Sequence, residues 1–222
     1  MKLEVFQVKM GNKGNKGMQM SEINEVSWYR GFIQGKTRIV MAWIFSVALI
    51  LSVRDYPTWP GIIVCFLGAT LRYWASAYLR KDQYPAVGGP YALTRNPLYL
   101  GTYLMAIGTA LAIQNYILAG IATVLFGAVY HFIILDEENK LKKIFGEPYL
   151  TYQALVPRFF PRLFPQSSEK LKAVNPTLEH HQYSVELGRK NKDYEAYASF
   201  AGLIGFVTLV AFLWKNFLSD LF

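Results

Sequence analysis

The chain has 222 residues, 53% of them hydrophobic, with a formal net charge of +8 and a mean hydropathy of +0.18. Its apolar residues come in long uncharged blocks instead of alternating with charge, which excludes an ordinary soluble domain. A single cysteine, Cys65, excludes a disulfide framework within the chain and any cysteine-based metal motif.

Residues 1–20 carry Lys2, Lys9, Lys13 and Lys16 with a repeated Gly-Asn-Lys run and no apolar core, so they read as a disordered basic tail and not as a secretory signal. The glycines of that run are three apart and follow no strand, so they do not form a dinucleotide loop. Residues 21–36 add Ile23, Val26, Trp28, Tyr29 and Phe32, the composition of a helix lying on a membrane surface.

Five apolar blocks follow, at residues 37–53, 61–79, 98–114, 116–135 and 198–218. Backbone polar groups inside a bilayer need internal partners, so each block is expected to be a helix. The fold class is therefore all-α, a polytopic transmembrane bundle of about five spans. A tight turn at 54–60, with Pro57 and Pro60, joins the first two, and Asn115 alone bends the third into the fourth. Gly120, Gly127, Gly202 and Gly205 read as sites of close helix approach.

Orientation follows from charge. With a cytoplasmic N-terminus, residues 1–38, 80–97 and 136–197 lie on the inner side and hold 20 of the 23 Lys and Arg. The positive-inside rule fits that orientation and not its reverse. The basic excess is thus a signal of topology and of anionic lipid headgroups, and no nucleic acid is called for. The expected division is a tail and surface helix (1–36), a membrane core (37–165), and a polar segment with the fifth span (166–222).

Polar residues with chemical potential cluster at the inner edge. The first segment, Gly88-Gly89-Pro90-Tyr91-Ala92-Leu93-Thr94-Arg95-Asn96-Pro97-Leu98-Tyr99-Leu100-Gly101, places Pro97 at a helix start. Free amides there, with Arg95 and Asn96, suit a polar or anionic group, and Tyr91 and Tyr99 suit stacking on a flat ring or a sulfonium. The second begins Asp136-Glu137-Glu138-Asn139-Lys140-Leu141 and runs through Phe145, Gly146, Tyr149, Tyr152 and Val156 to Arg158 and Pro161. Two adjacent acids ending an apolar helix oppose the helix dipole, so one or both call for a cation. A ligand ammonium or sulfonium is one candidate, and Arg95, Arg72 or Lys140 is another. The adjacent His180 and His181 do not share a helix face and no third ligand is evident, so no metal site is expected.

Together the two segments resemble the signature of the isoprenylcysteine carboxyl methyltransferases and the related phospholipid N-methyltransferases. Those families carry Gly-x-Tyr…Arg-His-Pro-x-Tyr-x-Gly. Two helices later follows Glu-Glu-x-x-Leu…Phe-Gly…Tyr-x-x-Tyr…Val-x-Arg…Pro. Gly89, Tyr91, Arg95, Pro97, Tyr99 and Gly101 match the first part. Glu137, Glu138, Leu141, Phe145, Gly146, Tyr149, Tyr152, Val156, Arg158 and Pro161 match the second. Upstream, Leu71-Arg72-Tyr73-Trp74-Ala75 is also similar, so the resemblance covers residues 60–165.

The resemblance implies an integral-membrane enzyme that takes S-adenosyl-L-methionine from the cytosol and a lipophilic or lipid-modified acceptor from the bilayer. It implies cofactor contacts at Gln83, Tyr84, Pro85, Ala86, Tyr91, Asn96, Pro97, Leu98, Tyr99 and Glu137, with Glu137 on the amino group of the cofactor's methionine part. Arg95, Glu138, Tyr149, Tyr152 and Arg158 are its implied supporting residues. No catalytic acid or base is assigned, because in-line methyl transfer needs positioning in a sheltered site. Two departures bear on the acceptor. Asn96 stands where the family has His and cannot titrate. Ile133 stands where the carboxyl methyltransferases have a substrate-linked Arg. Carboxyl O-methylation is favoured, with methylation of a phospholipid amine, an NADPH-dependent membrane reductase and a non-enzymatic membrane protein as the alternatives.

Overall fold

A computed structural model describes residues 36–80, 84–180 and 182–218. The expected basic tail, nearly all of the surface helix, Gln83 and His181 lie outside the described residues. Among those described, all regular structure is helical. In chain order the helices are α1 (Lys36–Ser52), α2 (Trp59–Ser76), α3 (Pro97–Ala112), α4 (Tyr116–Phe145), α5 (Glu147–Leu155), α6 (Ser168–Lys172), α7 (Val185–Lys190) and α8 (Tyr194–Leu213). A 3-10 turn, Gly89–Ala92, precedes α3, another, Leu178–His180, follows α6, and a π-helical turn, Trp214–Leu218, extends α8.

All five apolar blocks are helices. Tyr116–Phe145 and the continuous run Tyr194–Phe217 are long and apolar enough to cross a membrane, while Trp43–Ser52 and Pro97–Ala112 are shorter apolar helices. Large apolar side chains on the outer faces of α1, α4 and α8, among them Trp43, Leu51, Ile117, Val124 and Leu209, are exposed. Continuous apolar surface of this kind suits hydrocarbon and not water.

The fourth block needs a correction. Its helix does not stop at residue 135 but continues to Phe145, so the acid pair sits within a helix and not at its end. Residues 136–145 are mostly strong helix formers. Lys140 pairs with Asp136 one turn away at 2.8 Å, and Lys142 and Lys143 occupy the last turn, where cations favour the dipole. Gly146, at φ +61°, then turns the chain into α5.

The glycine expectation is corrected as well. A Cβ at Gly120, Gly127, Gly202 or Gly205 would meet nothing within 4 Å, so these four sit on open faces. The close approach lies between α2 and α3. There a Cβ at Gly108 would stand 2.3 Å from the Cys65 backbone nitrogen, and one at Gly68 2.6 Å from the Gly101 carbonyl oxygen. The Cys65 sulfur and the Thr109 hydroxyl lie 3.7 Å apart at this seam. Aromatic contacts seat α8 on α2, with Phe66 and Phe200 ring centres 5.5 Å apart and Tyr73 and Tyr197 5.2 Å apart.

Asn115 bends α3 into α4 as expected, its side-chain oxygen accepting from the Leu118 N–H at 2.8 Å. Close to the α1–α2 turn, Arg54 lies 4.0 Å over the Trp214 ring and Lys215 pairs with Asp55 at 2.7 Å, tying the turn to the end of α8. At the opposite end of the bundle a second core forms from Val87, Ala92, Tyr149, Tyr152, Val156, Leu171 and Val174. Residues from α6 and the loop after it therefore pack directly onto the first polar segment. Asn175, fully buried, fixes that contact by donating to the Pro85 carbonyl at 3.2 Å.

Candidate functional site

The two polar segments meet. After α5 the chain runs back along the stretch before α3. The Arg95 N–H donates to the Pro157 carbonyl at 2.9 Å, the Arg162 N–H to Leu93 at 3.0 Å, and the Gln166 N–H to Ala92 at 3.0 Å. The Thr94 hydroxyl lies within hydrogen-bond distance of the carbonyls of Arg158 and Phe159, at 3.2 and 3.0 Å. The Asn96 side-chain amide donates to the Arg158 carbonyl at 2.9 Å.

Around this seam the adjacent acids part company. Glu138 is only 2% exposed and is gripped by two guanidinium groups. Arg95 donates to it through Nε at 3.1 Å and a terminal nitrogen at 2.8 Å, and Arg158 through Nε at 3.2 Å with a further contact at 3.0 Å. Arg95 also donates to the carbonyls of Gln153 and Val156, at 2.7 and 3.1 Å. Glu138 thus has the protein-borne cation expected of the pair. Arg72 is not part of it and turns instead to the Thr102 hydroxyl and the Leu98 carbonyl. Lys140 goes to Asp136. At the start of α3 the Arg95 and Asn96 side chains, expected beside a polar or anionic group, donate to protein acceptors.

Glu137 faces elsewhere. It is exposed, accepts a hydrogen bond from the Tyr99 hydroxyl at 2.8 Å, and has no cationic partner among the described residues. Tyr91 lies near it, buried, with its hydroxyl lacking a hydrogen-bond partner among the described residues. Burial lifts the Tyr91 phenol well above its ordinary range, and the Glu137 carboxylate adds to the rise. At neutral pH Tyr91 therefore presents a protonated, unused O–H. Burial raises Tyr149 and Tyr152 in the same way. The Tyr152 hydroxyl is spent on the Tyr91 carbonyl at 2.7 Å, which locks the 3-10 turn that carries Tyr91.

The remaining implied contacts fall on one strip of chain. Pro85 and Pro97 are buried, while Tyr84, Ala86, Asn96, Leu98 and Tyr99 are half-buried. Pro97 is the first residue of α3, where its missing N–H costs nothing. Sequence reasoning missed Asn175 and Leu171, which brace this strip from outside the resemblance, and Arg80, whose Nε is buried without a partner among the described residues just before it.

Beside the acid pair a cleft of about 230 Å³ opens between α3, α4 and the chain after α5. Tyr103, Phe126, Tyr130 and Phe159 give it aromatic walls, and Arg158 and His131 are its ionisable members. Phe126 and Tyr130 stack at 3.8 Å, and Tyr130 meets Tyr99 edge-on at 5.4 Å, so the walls adjoin the Glu137 partner. An aromatic, mostly apolar cleft of this size fits a lipid-like chain or a flat ring better than a hydrated solute.

Against this geometry, residues 63–148 match the family model described as phospholipid methyltransferase. A nickel-cobalt-cadmium resistance protein of Alcaligenes xylosoxydans is 29% identical over 60% of this chain and 68% of its own length. A cobalt-zinc-cadmium resistance protein of Cupriavidus metallidurans is 29% identical over 58% of this chain and 63% of its own. The protein-S-isoprenylcysteine O-methyltransferase of Schizosaccharomyces pombe is 27% identical over 42% of this chain and 40% of its own. The chain therefore spans about two thirds or less of the curated relatives it matches. No solved structure matches. The family resemblance read from the sequence is borne out, by the family model over residues 63–148 and by the isoprenylcysteine O-methyltransferase relative.

Proposed function

We propose that this chain, whose residues 63–148 match the phospholipid methyltransferase family, is an integral-membrane methyltransferase. It uses S-adenosyl-L-methionine and acts on a lipophilic acceptor that enters from the bilayer. The observation that carries the reading is the division of labour in the acid pair: Glu138 is neutralised by Arg95 and Arg158, while Glu137, hydrogen-bonded to Tyr99, has no cationic partner among the described residues and stands near a Tyr91 hydroxyl that has no partner among them either. A carboxylate and a buried O–H donor in this arrangement fit an ammonium with a hydrogen-bond acceptor nearby, which is the polar end of S-adenosylmethionine.

Glu137 would hold the cofactor's amino group and Tyr99 would orient the carboxylate. Tyr91 would donate to an acceptor atom, and Tyr84, Pro85, Ala86, Asn96, Pro97 and Leu98 would form the remaining wall, with Gln83 beside them in sequence. The bound cofactor supplies a methyl group on a sulfonium for in-line displacement. The aromatic cleft shelters that reaction from water and aligns the acceptor.

Two guanidiniums against one carboxylate leave the Arg95–Glu138–Arg158 cluster with a surplus positive charge. Arg158, 38% exposed and lining the cleft, is the member that presents it. This favours a carboxylate acceptor, which needs no base, and so carboxyl O-methylation. His131 on the same cleft wall gives the amine reading its footing, because an amine must first lose a proton. The bundle is read as about five spans with the site facing the cytosol, as the distribution of Lys and Arg favours.

The test incubates purified protein in proteoliposomes made from total membrane lipid with methyl-tritiated S-adenosylmethionine. Alkali then releases volatile methanol from a methyl ester and leaves an N-methyl amine intact. Base-labile label supports the carboxyl reading and base-stable label supports the amine reading. Absence of transfer to any lipid fraction by folded protein removes the proposal.

A further inference from the structure

The segment after Arg158 reads Phe159-Phe160-Pro161-Arg162-Leu163-Phe164-Pro165. Phe160 is 79% exposed, Leu163 93% and Phe164 78%, an outward-facing apolar cluster on the lobe that carries the charged residues. Its position along α4 is fixed from two directions. The Arg158 side chain reaches Glu138, whereas the Phe159 ring lies 5.9 Å from Phe126 and 5.8 Å from Tyr103. The segment thus runs beside the stretch Phe126–Leu135, the last uncharged turns of a helix long and apolar enough to span a membrane. That stretch extends roughly 15 Å before the first charge, Asp136.

The backbone of the segment is equipped for such a place. The carbonyls of Pro157, Arg158 and Phe159 each accept a hydrogen bond, from the Arg95 N–H, the Asn96 amide and the Thr94 hydroxyl. The Arg162 N–H donates to Leu93, and Pro161 and Pro165 have no N–H to satisfy. These bonds meet the polar groups at the base of the segment, while its tip from Phe160 to Phe164 suits the hydrated boundary and not the hydrocarbon core, where irregular backbone must have every polar group met. The Arg162 guanidinium, on the exposed side, donates to the Leu155 carbonyl, and a basic side chain beside apolar ones is the pairing that suits a headgroup boundary.

We infer that residues 159–164 form a lip embedded at the headgroup–acyl boundary of the bilayer, held by the stretch before α3, with Phe160, Leu163 and Phe164 inserted among lipid chains. Phe160 also lines the aromatic cleft, so the lip sets the cleft mouth against lipid and not against water. The inference rests on the reading of α4 as a membrane span.

The experiment replaces the buried Cys65 with Ala and introduces single cysteines for a thiol-reactive fluorophore. The positions are Leu163→Cys and Phe164→Cys on the lip, Val124→Cys on the exposed face of α4, and Glu169→Cys on the lobe surface. The protein is reconstituted in vesicles of phosphatidylcholine and phosphatidylglycerol carrying a nitroxide on an acyl carbon near the headgroup. The lip labels are expected to lose fluorescence to the lipid nitroxide and resist aqueous iodide, as the Val124 label does, while the Glu169 label shows the reverse. Lip labels that follow Glu169 while Val124 is quenched by lipid overturn the lip and leave the membrane reading standing. If Val124 too is quenched only by iodide, the spanning helix fails and the lip with it.

Discussion

Glu137 and Glu138 are neighbours in the chain, yet each belongs to a different side of the molecule. Successive residues on a helix point about 100° apart. One of the pair therefore turns into the lobe and the other turns out towards Tyr99. On the Glu138 side every strong polar group is spoken for, by Arg95, Arg158, Asn96 and Thr94. On the Glu137 side, among the described residues, a carboxylate lacks a cation and a buried phenol lacks a partner. A fold leaves a buried hydroxyl such as that of Tyr91 unmet at a cost, and the exposed Glu137 carboxylate is open to a ligand, so the contrast separates the part of the signature that builds the site from the part available to bind.

Four substitutions probe that contrast, in falling order of expected effect. Glu138→Gln leaves two guanidiniums facing a neutral amide, and should lower stability by about 3 kcal/mol in denaturant unfolding followed in detergent. A loss within experimental error would mean the cluster is decoration. Glu137→Ala should change stability by under ~0.5 kcal/mol. It should nevertheless weaken S-adenosylmethionine binding by roughly 10- to 100-fold, the worth of a hydrogen bond to a charged group. If it unfolded the protein instead, the two sides would not be distinct.

Asn96→Ala removes the amide that ties α3 to the Arg158 carbonyl, and should cost about 1 kcal/mol in the same unfolding assay. Tyr91→Phe deletes a hydroxyl that has no partner among the described residues. Stability should hold or rise slightly, while cofactor affinity falls by about 3-fold if the O–H serves the ligand. Lost stability without lost affinity would place Tyr91 on the structural side.

The sequence carried the five helical blocks and the order of the two polar segments, because uncharged length and motif spacing are local properties. It also showed that two adjacent acids required a cation. Which acid would receive it depended on Arg158, twenty positions further on and brought back only by the turn at Gly146 and the course of α5. The same folding-back put Leu171, Val174 and Asn175 over the first segment, and no periodicity in residues 166–178 announces that. Glycine placement misled for a related reason. Any glycine permits close approach, but among the described residues only Gly61, Gly68, Gly101 and Gly108 face a neighbouring helix at contact distance, and facing is a tertiary property. The end of the fourth block was placed ten residues early because loss of hydropathy was read as loss of helix. The Asp136–Lys140 pair and the terminal lysines show that only the solvent had changed.

The most direct test is calorimetric titration of S-adenosylmethionine into purified protein in detergent, with wild type and Glu137→Ala compared at equal folded fraction. Saturable binding to wild type that the substitution abolishes or weakens at least ~10-fold is the result expected from a charged hydrogen bond. Equal binding by both proteins, or none by folded wild type, would contradict the assignment of Glu137 as the cofactor's anchor.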